Sequence, residues 1–175
     1  MFKKKAKKQE KSSKSKISSR NNIMGKKFEI YVANLYKDLG KRKIRHDTYV
    51  KIPNNNGKSM HVQIDVMYKA IFYDHYIECK YRKPGNKVSL DEVAKFYAAI
   101  ELIKVPMRRA ELITNQYFND RAIEYADTKG LKLYNLDDLL KMEKERRSFL
   151  DLIRGKKPSI ERIIWRTDIK KKYEF

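Results

Sequence analysis

Between His61 and Arg82 the chain reads HVQIDVMYKAIFYDHYIECKYR, two apolar stretches of strand length with charges set inside them. Asp65 interrupts the first, and Glu78 and Lys80 interrupt the second. Successive side chains of a strand leave opposite faces, so Glu78 and Lys80 share a face roughly 7 Å apart and Cys79 points the other way. That removes Cys79 as a partner in nucleophilic catalysis. If the stretch folds as a hairpin turning near Ile71 to Asp74, Asp65 lies across from Glu78. Two carboxylates then converge beside one ammonium, and a charge among apolar neighbours is costly unless something compensates it.

Two hard oxygen donors suit Mg²⁺, with Mn²⁺ as a substitute. Such an ion takes one or two carboxylates and fills its other positions with water, substrate phosphate and a backbone carbonyl. The metal set expected is Asp65, Glu78 and Cys79. A metal there polarises a phosphodiester and lowers the pKa of a bound water, and Lys80 is placed to position that water or offset developing charge. The bland alternative is a solvated strand face, because Glu-x-Lys is common on sheets and 37 % of the chain is charged. The apolar neighbours in QIDV and YIEC weigh against it. In the strand from Met60, Val62, Ile64 and Val66 alternate with His61, Gln63 and Asp65, so in a regular strand His61 and Gln63 share the face of Asp65. Gln63 joins the catalytic candidates for that reason. His46 and His75 have no metal-ligand spacing with a neighbour, which argues against zinc.

The elements around this hairpin follow from periodicity. Phe28, Tyr31, Val32, Leu35 and Leu39 recur at helical spacing before Gly40, a C-cap residue. RHDTYVKI reads as a strand ended by the turn PNNNG. Ser89 with Glu92 makes a capping box, followed by Leu90, Val93, Phe96 or Tyr97, Ile100 and Ile103 on a helix. AELIT reads as a short buried strand, and NDRAIEYADTKG as a helix with Asn119 as N-cap and Gly130 as C-cap. LKLYN is a further strand, and LDDLLKMEKERRSFLDLIR a long helix. The order αβββαβαβα predicts an α/β sheet covered on both faces.

The charge decides the partner class. A formal net charge of +20 points to a polyanion. No apolar run of 18 residues spans a bilayer, and no basic helix offers a clean apolar face for membrane insertion. The start, MFKKKAKKQEKSSKSKISSR, has no apolar segment of a secretory signal and reads as a disordered basic arm over residues 1–23. Cys79, the single cysteine, excludes a disulfide framework. A reducing, intracellular compartment follows, cytoplasmic or nucleoid-associated. Basic residues after the third strand (Arg82, Lys83 and Lys87) and near the C-terminus (Lys156 and Lys157) are candidate phosphate contacts.

Asp65 followed by IECK at the close of a hairpin, after a helix with GKKFEIYVANLYKDLG, resembles the PD-(D/E)xK nuclease superfamily, and within it the Mrr-like restriction endonuclease catalytic domain. AELITNQYFNDRAIEYADTKGLKLYNLDDLL is similar to that family's later strand-helix-strand-helix pattern. The resemblance covers about residues 24–141, leaving 142–175 as a basic helical extension. It implies a restriction-endonuclease-like αβββαβ core with a mixed central sheet, extended by further α/β elements. It implies metal binding by Asp65 and Glu78, assistance by Lys80, and a place near the metal for Glu29 of the first helix. The bland reading of Glu29 is an exposed residue at the helix start. Ile64 stands where Pro often precedes the acid, and no separate recognition domain is visible. The function expected is Mg²⁺-dependent hydrolysis of DNA, with RNA and homodimerisation left open. A non-catalytic nucleic-acid-binding platform and a Holliday junction resolvase are the alternatives.

Overall fold

The apolar stripe that follows Met24 forms a helix, α1, over residues 22–38, and Gly40 ends it with a φ of 81° that a side chain rarely adopts. Phe28, Tyr31, Val32 and Leu35 of that stripe are fully buried. The computed structural model describes residues 22–52 and 60–146. Residues 1–21 of the expected arm, the PNNNG turn, and everything beyond Arg146, including Lys156 and Lys157, lie outside the described residues.

Three antiparallel strands follow: β1 (Arg42–Ile52), β2 (Met60–Lys69) and β3 (Asp74–Lys80). Helix α2 (Leu90–Leu102) carries the chain across to β4 (Ala110–Thr114), which runs parallel to β3. Helix α3 (Asp120–Lys129) then leads to β5 (Lys132–Tyr134), parallel to β4, and α4 (Leu136–Arg146) closes the described chain. The sheet is mixed and ordered β1-β2-β3-β4-β5. A short 3₁₀ turn, Met107–Arg109, enters β4, an element periodicity did not signal.

The punctuation acts as the sequence predicts. The backbone N–H of Ser89 donates to Glu92 at 3.1 Å, and the Ala122 N–H donates to the Asn119 side chain at 2.8 Å. Gly130 has a φ of 68° at the end of α3. Two apolar layers sandwich the sheet. On one face α1 and α4 bury Val66, Tyr68, Ile77, Cys79 and Ile113. On the other α2 and α3 bury Ile52, Ile64, Met67, Ala110 and Leu112.

Those two lists overturn one expectation. Regular alternation puts Ile64 and Val66 on one face, yet Ile64 lies in the α2–α3 layer and Val66 in the α1–α4 layer. The strand switches faces at Asp65. Its neighbour across β1 shows why: the pairs His46–Val66 and Thr48–Ile64 flank Asp47, whose φ of 54° is left-handed. A residue in that conformation breaks the pleat, and aspartate tolerates it better than most.

Candidate nuclease centre

Asp65 and Glu78 sit on neighbouring strands. The last paired residues of β2 and β3 in this direction are Val66 and Ile77, and one step further Asp65 stands across from Glu78. The hairpin predicted from the sequence is present, with Lys69 opposite Asp74 and a turn between them. Lys80 Nζ binds Glu78 Oε1 at 2.5 Å, and both side chains are largely buried. The N–H of Cys79 donates to Asp65 Oδ2 at 2.8 Å.

One backbone donor is little compensation for Asp65. Burial pushes its carboxyl up to about 7, the negative charges of Glu78 and Glu29 add to the effect, and the Cys79 N–H and Lys80 oppose it. The centre is therefore short of positive charge. Cys79 faces the α1–α4 layer, and burial raises its thiol well above the usual range. Its side chain is a poor metal ligand in that state, because the thiolate is the ligating form. What Cys79 offers at the centre is backbone.

Glu29 corrects the reading of an exposed helix-start residue. It lies inside α1, 9 % exposed, accepting from Lys26 Nζ at 2.9 Å and facing His46 Nε2 at 3.2 Å. Its carboxylate faces the same region as Asp65, as its effect on Asp65 requires. Gln63 is exposed and its amide donates to Asp47 Oδ1 at 2.5 Å. The switch at Asp65 removes the regular alternation by which Gln63 was grouped with Asp65, and Gln63 is linked instead through Asp47 and Lys26 to Glu29. Among the described residues no three His, Cys, Asp or Glu side chains converge into a metal-ligand cluster.

Of the proposed phosphate contacts, Lys83 and Lys87 are exposed beyond β3. Arg82 is different: it is ion-paired with Glu92 of α2 and donates to the Tyr81 carbonyl at 2.8 Å. Its guanidinium ties the loop after β3 to α2. Three residues the sequence reading did not single out pin the end of β3. Thr114 Oγ1 donates to the Lys80 carbonyl at 2.7 Å. Asn115 accepts from the Arg82 N–H at 2.6 Å and donates to its carbonyl at 2.8 Å, and the Gln116 side chain accepts from Gly85 N–H at 3.4 Å. The signal was the polar run TNQ closing a fully buried strand.

A family model described as restriction endonuclease, the Mrr catalytic domain, matches residues 20–142. Among solved structures, a protein of unknown function, AF1548, aligns with a TM-score of 0.55 at 22 % identity over 68 % of this chain and 67 % of that one. The DNA modification-dependent restriction endonuclease AspBHI aligns at 0.45 and 14 % over 81 % of this chain and 34 % of its own. The MspJI restriction endonuclease, solved in complex with a 27-mer oligonucleotide, aligns at 0.47 and 14 % over 90 % of this chain and 35 % of its own. The chain thus spans about a third of the length of these two enzymes. No curated protein sequence matches it.

Proposed function

The chain belongs to the Mrr-type restriction endonuclease family, and on that premise we propose that it is a metal-dependent endonuclease hydrolysing phosphodiester bonds in DNA. The observation that carries the reading is the placement of Asp65 and Glu78 on adjacent strands with Lys80 bound to Glu78, in surroundings that leave Asp65 uncompensated. The donor set fits Mg²⁺, a hard cation content with two carboxylates and a backbone carbonyl, here that of Cys79. Asp65 and Glu78 would hold it. Once bound, the ion supplies polarisation of the phosphodiester and a more acidic water.

The residues themselves do the rest. Glu78 fixes the Lys80 ammonium at the mouth of the centre, where it meets negative charge developing on phosphate. Thr114, gripping the Lys80 carbonyl, keeps the strand end from fraying when substrate pulls on the ammonium. The Cys79 N–H holds one oxygen of Asp65 and leaves the other for a cation. Exposed Lys83 and Lys87 give phosphates a path toward the centre without reading bases.

The test uses supercoiled plasmid, linear duplex, single strands and a four-way junction, with Mg²⁺, Mn²⁺ or EDTA. Wild type should cut in metal and not in EDTA, Glu78→Ala should not cut, and Lys80→Ala should lose turnover while still binding metal by calorimetry. Normal cleavage by Glu78→Ala would overturn the site. Tight binding without cleavage in any metal would instead make the fold a binding platform.

A further inference from the structure

At the end of the sheet away from Lys80, the turn between β2 and β3 holds three large apolar side chains out in water. Ile71 is 86 % exposed, Phe72 78 % and Tyr73 54 %. Turns favour small and polar residues, so nothing about reversing the chain calls for this composition. The tip is also braced. The Ala70 N–H donates to the Tyr73 carbonyl at 2.9 Å, and Arg45 of β1 binds Asp74 at 2.8 Å. Arg109, from the 3₁₀ turn, lies over the Tyr73 ring at 3.7 Å from its centroid. Phe72 meets Tyr73 edge-on, centroids 6.4 Å apart at 71°. Tyr73 is thus occupied, and Phe72 and Ile71 stand outermost on a prepared support.

Cations ring this tip. Arg42 lies opposite Lys69 where β1 starts, Lys43 follows it, and Arg108 precedes the arginine that stacks on Tyr73. All four are exposed, and among the described residues none has an acidic partner. The carboxylate nearest the tip, Asp74, is already taken by Arg45.

We propose that this hairpin end is a second nucleic-acid contact, separate from the catalytic centre. There Phe72 stacks on a base of an unpaired strand with Ile71 packing beside it, and Arg42, Lys43, Lys69 and Arg108 hold its phosphates. An aromatic tip with cations at its base fits a strand whose π-faces are open, because stacking tolerates any base and phosphates run beside it. Intact duplex offers the tip only edges and phosphates. A two-fold pairing of tips would bring the same cations against each other, which disfavours a second copy as occupant. The choice of nucleic acid over an anionic lipid surface rests on the nuclease reading of the other end of β3. Four residue steps along β3, about 13 Å, separate Asp74 from Glu78, so one nucleic-acid molecule reaches both ends.

The experiment is fluorescence anisotropy with a labelled oligo(dT) and a blunt duplex of equal length, on the full chain in EDTA. Phe72→Ala should bind oligo(dT) about tenfold more weakly, the loss of one base stack, while duplex binding changes less than twofold. The salt dependence should stay the same in Phe72→Ala and fall by about 0.7 in slope on the single strand for Lys69→Gln. Equal affinity of wild type and Phe72→Ala for oligo(dT) overturns the proposal. So does loss of a dimer in sedimentation, or loss of flotation with phosphatidylserine vesicles while oligonucleotide binding is unchanged. Cleavage in Mg²⁺ is read separately, so a failed stack and a failed nuclease assignment give different results.

Discussion

Asp65 and Glu111 are both carboxylates withdrawn from water on adjoining parts of one sheet, and their neighbours treat them in opposite ways. Glu111, 2 % exposed on β4, accepts from Tyr36 Oη at 2.6 Å and Tyr68 Oη at 2.8 Å, with His75 Nδ1 at 3.2 Å. Both carboxylate oxygens have a hydroxyl donor. Asp65 has one backbone N–H, and in its field the Lys80 ammonium is set against two other carboxylates. A protein that only needed a carboxylate buried knows how to satisfy it, as β4 shows. That Asp65 is left short is the contrast on which the proposed cation site rests.

The comparison breaks most easily on chemistry. Asp65→Asn should slow cleavage on the order of a thousandfold, whereas Glu111→Gln should leave the rate per folded molecule within a few-fold. Plasmid cleavage at equal folded concentration decides, and comparable losses in both variants would erase the distinction. Stability should rank the two the other way. Glu111→Ala strands two buried tyrosine hydroxyls and a histidine nitrogen and should cost about 3 kcal/mol in urea unfolding.

The same contrast has a pH form. Because the Asp65 carboxyl rises from an ordinary 3.8 to about 7 on folding, the stability it contributes is complete below pH 3.8 and is lost as pH rises through 7. In metal-free buffer the wild type should lose about 1 kcal/mol between pH 6 and 8, roughly 3 °C in melting temperature, and Asp65→Asn should lose much less. Added Mg²⁺ should restore the wild type and leave the variant unmoved. The smallest effect belongs to Cys79→Ser, about 1 kcal/mol of stability and little change in cleavage, since the thiol lies in the α1–α4 layer.

What the sequence told came from local rules. Helix stripes, the Ser89–Glu92 box, the Asn119 cap and the Glu-x-Lys face depend on residues within a few positions of each other, and each is found in place. The face switch at Asp65 was hidden because its cause is the left-handed Asp47 on another strand. The burial of Glu29, against the bland reading of an exposed helix-start residue, was out of reach for a related reason: burial of a helix residue depends on what the helix packs against. The Glu111 cluster gathers Tyr36, Tyr68 and His75 from three other elements, a contact set with no sequence period at all.

The mixed order of the sheet also sets how the molecule comes together in time. Asp65 and Glu78 meet through a tight hairpin, whereas β3 meets β4 only after the 29-residue excursion through α2. Closing the longer loop costs about 2 kcal/mol more in chain entropy, so the hairpin should zip first and the parallel pairing should limit the folding rate. A nascent chain then brings its two acids together while they are still in open water, and only the later arrival of β4 supplies Thr114 to clamp the strand end. Assembly of the centre precedes its rigidity.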